Sequence, residues 1–152
     1  MVRDTRKIIL MTKNLTVNYG PIVALKKINI EIHTGEIVAV FGSNGSGKST
    51  LLKSLIGVKK PIEGSTLYQD REIHLWNPET ITRLGVHLIP EEGGIFKTLT
   101  VEENLQLGAY HYFQHYHRQF EFVIQLFPFL KKRVNQIAGT LSGGEQRILS
   151  FA

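Results

Sequence analysis

A chain of 152 residues, 42% of them hydrophobic and 20% charged, has room for one domain with a real core and is too apolar for a disordered tail. The net charge of +5 is dispersed over Lys26-Lys27, Lys59-Lys60 and Lys131-Lys132-Arg133, with Arg3, Arg6 and Lys7 near the start, so no basic stripe marks a nucleic-acid partner and none is expected; a solvated surface is the main reading of these pairs, an anionic membrane face or RNA the lesser ones. Lack of cysteine excludes disulfides, thiolate metal sites and thiol nucleophiles; no apolar run approaches a membrane span or a secretory signal core, and a cytosolic protein is expected.

The first forty residues read as strands. Residues 8–11 and 16–19 are candidates, and 28–32 alternate so that Ile28, Ile30 and Ile32 share one face. Gly35 turns the chain into a further apolar strand, 37–40, which runs directly into Gly42-Ser43-Asn44-Gly45-Ser46-Gly47-Lys48-Ser49-Thr50. This is a phosphate loop of the Gly-x-x-x-x-Gly-Lys-Ser type. Its glycines let the backbone curl until successive N–H groups face phosphate oxygens, and the following helix adds its positive end. Lys48 supplies a charge and Ser49 a magnesium ligand. A ligand-free glycine turn would explain the glycines but not the lysine, which has no packing role there.

Past Lys48 the period becomes helical, with Leu51, Leu52, Leu55 and Ile56 at core spacing and Gly57 as a stop before Pro61. Residues 65–68 and 71–73 flank Gln69-Asp70 as a hairpin, and Asn77 caps a short helix that starts at Pro78 and ends at Gly85. Residues 86–89 read as another apolar strand, and Pro90-Glu91-Glu92-Gly93-Gly94 as a flexible loop. Thr100 with Glu103 forms a capping box for a helix carrying Val101, Leu105 and Leu107. From 109 to 132 the chain reads as helical and aromatic, with Tyr110, Tyr112, Phe113, Tyr116, Phe120, Phe122, Phe127 and Phe129. That density fits a packed helical subdomain or a face that docks a partner. His111 and His115 stand one turn apart but lack a third ligand for a metal.

Near the end, Leu141-Ser142-Gly143-Gly144-Glu145-Gln146 places a serine and two glycines at a helix start, a second anion site or a plain N-cap turn. The pairing of this run with the upstream phosphate loop resembles the ATP-binding subunits of ABC transporters over nearly the whole chain. Asn18-Tyr19-Gly20 is similar to that family's adenine-stacking loop, 42–50 to its Walker A motif and 141–146 to its signature motif. Pro90-Glu91, followed by Ile95-Phe96 and the run from Leu99 to Leu105, resembles the branched-chain amino-acid uptake branch. There a glutamate, as at Glu91, replaces the usual glutamine of the Q-loop. An arginine commonly follows in that branch, where this chain has Glu92-Gly93-Gly94.

The resemblance implies an α/β P-loop fold of ABC type with an antiparallel β edge and a helical subdomain. Residues 1–89 would form a β-rich core with Walker A, 90–140 the Q-loop and helical subdomain, and 141–152 the signature motif and the start of its helix. It further implies ATP and Mg2+ as ligands. Tyr19 would stack on adenine, and Gly42 to Thr50 would bind the phosphates. Ser49 and Glu91 would serve magnesium, with Glu91 as the candidate catalytic residue. Leu141, Ser142, Gly143, Gly144, Glu145 and Gln146 would reach the nucleotide of a second ATP-binding subunit. The implied partners are that subunit, alike or different, and transmembrane permease subunits docked on the aromatic segment at the inner face of the membrane. In the family a Walker B strand ending in Asp-Glu follows the signature helix, so the chain resembles an N-terminal part. Alone it is expected to hydrolyse ATP no faster than a Lys48→Ala control and, with an open apolar edge at 37–40, to be aggregation-prone or only partly folded. The rival readings are a nucleotide-binding module without hydrolysis and a soluble ABC ATPase acting on ribosomes or DNA.

Overall fold

The computed structural model describes residues 6–91 and 93–152; Arg3 and Glu92 lie outside them. The chain forms two compact units that divide after Leu88.

The first unit is built on a long hairpin, β1 (Ile8–Tyr19) and β2 (Ile22–His33), extended by β3 (Glu63–Tyr68) and β4 (Arg71–Glu72). All pairings are antiparallel and the order is β2-β1-β3-β4. The expected short strands at 8–11 and 16–19 are thus one strand. Lys13-Asn14 hides this in the sequence, because Asn14 sits at φ 50° in a bulge that breaks the apolar alternation. Asn29 secures the bulge: its Oδ1 accepts the Asn14 amide at 2.8 Å and its Nδ2 donates to Lys27 O at 3.0 Å. Ile28, Ile30 and Ile32 share one face as expected and pack against a core of Leu10, Leu15, Val17, Leu25, Leu51 and Leu55.

Helix α1 (Lys48–Leu55) buries Thr50, Leu51, Ser54 and Leu55 and stops before Gly57, at φ +74°. The hairpin at Gln69-Asp70 forms, both residues being left-handed at φ 49° and 65°, and Asn77 caps α2 (Pro78–Thr82) by accepting Thr80 N–H at 2.8 Å. Two expected strands do not form. Residues 37–40 and 86–89 join no ladder, and the first stretch is open to solvent, with Ile37 97% and the following Phe41 91% exposed. Continuous apolar strands need a neighbour on each edge to be stable, and none of the described residues pairs with either.

The second unit is helical: α3 (Val101–Gly108), α4 (Tyr116–Leu126), α5 (Pro128–Lys131) and α6 (Gly143–Phe151). The expected helical run from 109 to 132 is broken twice. A 3-10 turn (Tyr110–His115) holds a kink at Tyr112, φ −132°, and Phe127 leaves helical geometry ahead of Pro128. Its aromatics divide accordingly. Tyr116 is buried with Val101, Leu105, Leu130, Ala138, Leu141 and Leu149, and Phe120, Phe127 and Phe129 pack against that core. Tyr110, Phe113 and Phe122 stay exposed. Among the described residues no helix is long and apolar enough to cross a membrane.

Candidate functional site

The phosphate-loop residues lie together at one corner of the first unit. Ser46 N–H closes a turn on Ser43 O at 3.2 Å, and Leu51 N–H makes the first bond of α1 to Gly47 O at 2.8 Å. Gly47 is the N-cap and brings no side chain, so the first-turn amides of α1 lack a side-chain cap. Its φ is +94°, and a Cβ there would stand 2.8 Å from the Ala24 carbonyl oxygen of β2. Only glycine lets the helix start seat this closely on the strand. The inner side of α1 is anchored by burial and by Ser54 Oγ donating to Thr50 O at 2.8 Å. Thr50 itself is buried, while Ser49 and residues 42–46 are exposed.

Lys48 turns back over the loop, its Nζ donating to Gly42 O at 2.8 Å and Ser43 O at 2.9 Å. An ammonium and the positive end of a helix thus meet at one exposed stretch of backbone. That donor set suits a polyphosphate. Tyr19 ends β1 and pairs with Ile22, which places it at the same end of the hairpin as Ala24 and Leu25, against which Gly47 rests. Tyr19 is 44% exposed, with Lys59 Nζ 4.5 Å from the ring centroid. Among the described residues no three His, Cys, Asp or Glu side chains gather to hold a metal, and His111 and His115 share the 3-10 turn. Ser49 offers one hydroxyl, which suits Mg2+ held mainly by phosphate oxygens and water rather than by a protein cage.

In the second unit Glu91 is exposed. The loop after it is held by Asn104, a member of the 99–105 run to which the sequence assigns no role of its own. Asn104 Oδ1 accepts Phe96 N–H at 2.7 Å, and its Nδ2 donates to Phe96 O at 3.0 Å and Thr100 O at 2.8 Å. An asparagine inside a helix, one turn past its cap, was the available signal. Backbone bonds from Val101 N to Gln136 O, Glu102 N to Val134 O, Ala138 N to Leu99 O and Gly139 N to Lys97 O then tie this loop to the segment that leads into α6.

At α6 Ser142 is the N-cap of a full capping box. Its Oγ accepts Glu145 N–H at 3.3 Å and its own amide donates to the Glu145 carboxylate at 2.9 Å. The Ser-x-x-Glu spacing signalled this box, which the reading of Ser-Gly-Gly alone missed. The Ser142 amide, then its hydroxyl and the charge of Arg133, 3.0 Å away, hold the Glu145 carboxyl below its usual range. Gln146 Nε2 donates inward to Leu141 O at 2.9 Å and Gly139 O at 3.2 Å, and the Leu141 side chain is in the core. Ser142, Gly143 and Gly144 are the exposed members of the run.

A glycine loop that seats a helix start on a β-hairpin and carries a lysine over it defines a phosphate-loop nucleotide-binding unit. The family model described as ABC transporter matches residues 25–152, and the chain belongs to that family. It is 43% identical over 134 residues to the high-affinity branched-chain amino acid transport ATP-binding protein BraG of Pseudomonas aeruginosa, covering 88% of this chain and 58% of the relative. It is 38% identical over 144 residues to the probable branched-chain amino acid transport ATP-binding protein LivF of Archaeoglobus fulgidus, covering 94% and 61%. The chain therefore spans about three fifths of these relatives' length. ATP-binding proteins for D-allose and ribose import also match, at lower identity. The crystal structure of a nucleotide-free ATP-binding cassette from an ABC transporter superposes with a TM-score of 0.80 at 25% identity, over 95% of this chain and 63% of that one. The fold is the α/β P-loop fold of ABC cassettes.

Proposed function

We propose that this chain is the nucleotide-binding part of the ATP-binding subunit of an ABC importer for branched-chain amino acids. The observation that carries it is the Lys48 ammonium poised on the Gly42 and Ser43 carbonyls, over the uncapped start of α1. The solute is favoured by the names and the identities of the two relatives above, which exceed those of the sugar importers. ATP with Mg2+, when bound, supplies the phosphoanhydride whose cleavage would drive transport. Lys48 and the amides of 44–49 grip its phosphates, Ser49 and Glu91 serve the ion, Glu91 is the catalytic candidate, and Tyr19 stacks on the base. Ser142, Gly143 and Gly144 face the nucleotide of a second ATP-binding subunit across a sandwich. Leu141, Glu145 and Gln146 shape that helix start from within.

The exposed Tyr110, Phe113 and Phe122 are the docking face for a permease subunit, which places the protein at the cytoplasmic face of a membrane. The two ligand sites act together by differential affinity: nucleotide shifts a population toward the closed pair only as far as it binds that state better. The test is ATP-driven pairing with an intact ATP-binding subunit, followed by light scattering. Ser142→Arg is expected to block pairing while sparing ATP binding by the single chain; undiminished pairing contradicts the assignment.

A further inference from the structure

The Tyr19 ring has one face already taken. Lys59 Nζ stands 4.5 Å from its centroid, within the range at which an ammonium is attracted to an aromatic face. The placement is built rather than incidental. After α1 the chain turns at Gly57, and the Lys59 amide donates back to Lys53 O at 3.1 Å, which aims the half-buried Lys59 side chain toward the end of β1. The next residue goes elsewhere, since Lys60 Nζ donates to Trp76 O. Among the described residues no carboxylate pairs with Lys59 and draws its ammonium off the ring. Tyr19 still keeps 44% of its surface exposed.

We propose that Lys59 is a positioning residue for base recognition: from one face it holds the Tyr19 ring, leaving the other face to stack the purine. Two effects act in the same direction. An ordered ring needs no further immobilisation when a base arrives. A cation on the rear face also draws electron density out of the ring, which lessens the face-to-face repulsion of stacked π systems. This rests on the reading of Tyr19 as the adenine platform.

The experiment measures Kd by calorimetry for Mg-ATP and for magnesium tripolyphosphate, which has no base. The proteins are the wild-type chain, Lys59→Gln, Lys59→Arg, Tyr19→Ala and the Tyr19→Ala/Lys59→Gln double variant. Lys59→Gln is expected to weaken ATP about two- to fivefold, the reach of an exposed cation–π contact, and to leave tripolyphosphate unchanged. Lys59→Arg restores ATP affinity, and Lys59→Gln adds nothing once Tyr19 is gone. Equal weakening of both ligands assigns Lys59 to the phosphates or to general structure and overturns the proposal. So does unchanged or tighter ATP binding by Lys59→Gln while Tyr19→Ala still weakens it, the tighter result showing that Lys59 competes for the face the base uses. If Tyr19→Ala binds ATP like wild type, the platform reading falls, and this inference with it.

Discussion

Two demands meet on Gly47, and substitution by alanine separates them from the ordinary cost of losing a loop glycine. At φ +94° an L side chain is strained, by about 1–2 kcal/mol. The new Cβ would also stand 2.8 Å from the Ala24 carbonyl oxygen and 2.8 Å from Leu25 Cδ2. Leu25 can rotate a little, but the carbonyl belongs to β2 and cannot move without the strand. Relieving the clash means lifting the start of α1 off the hairpin, an overpacking cost of about 1–3 kcal/mol. The sum is about 2–5 kcal/mol, a large fraction of a typical domain stability. Gly45 is the internal control. It has φ +83° and nothing within 4 Å of its Cβ, so Gly45→Ala bears the strain alone. Urea unfolding followed by Trp76, the sole tryptophan and a half-buried member of the same unit, reads both variants. The Gly47→Ala loss should exceed that of Gly45→Ala by about 1–3 kcal/mol. Equal losses would refute the close approach to β2 as the reason for glycine at 47.

The remaining expectations concern the second unit. Glu103 is held below its usual carboxyl value of 4.5 by the Thr100 amide and then the Thr100 hydroxyl. A depressed folded value means that its contribution is complete above pH 4.5 and is lost as pH falls below it, so helix signal by circular dichroism should drop over that acid window. Glu103→Gln should flatten the drop, and a profile identical to wild type would remove the capping box as its source. Asn104→Ala removes three hydrogen bonds from the 96–100 loop and should cost roughly 1–3 kcal/mol, with faster amide exchange at Phe96. Exchange at Phe96 unchanged from wild type would show that Asn104 does not hold the loop.

Local chemistry was the legible part of this chain. The Asn77 cap, the Thr100–Glu103 box and the Gln69-Asp70 turn each rest on residues close in sequence, and each stands in the structure as its pattern implies. Longer features were harder to see. The continuity of β1 is hidden by the bulge at Asn14, whose partner Asn29 lies across the hairpin. The apolar runs at 37–40 and 86–89 read as strands because periodicity reports burial, whereas a strand also needs paired edges. Lys59 and Arg133 read in the sequence only as dispersed surface charge, because the Tyr19 ring and the Glu145 carboxylate that give them roles are brought near by the fold.

The central claim is that the loop from Gly42 to Ser49 holds a nucleoside triphosphate with Lys48 as its principal charge. Titration calorimetry of Mg-ATP into the chain and into Lys48→Ala tests it most directly. Loss of a charge-assisted contact to phosphate should cost about 1.5–3 kcal/mol, or roughly one to two decades in Kd. Saturable binding by the wild-type chain, weakened by that amount in the variant with an unchanged circular dichroism spectrum, is the result expected. Equal affinity for the two proteins, or no binding by a folded wild-type chain, would contradict the account.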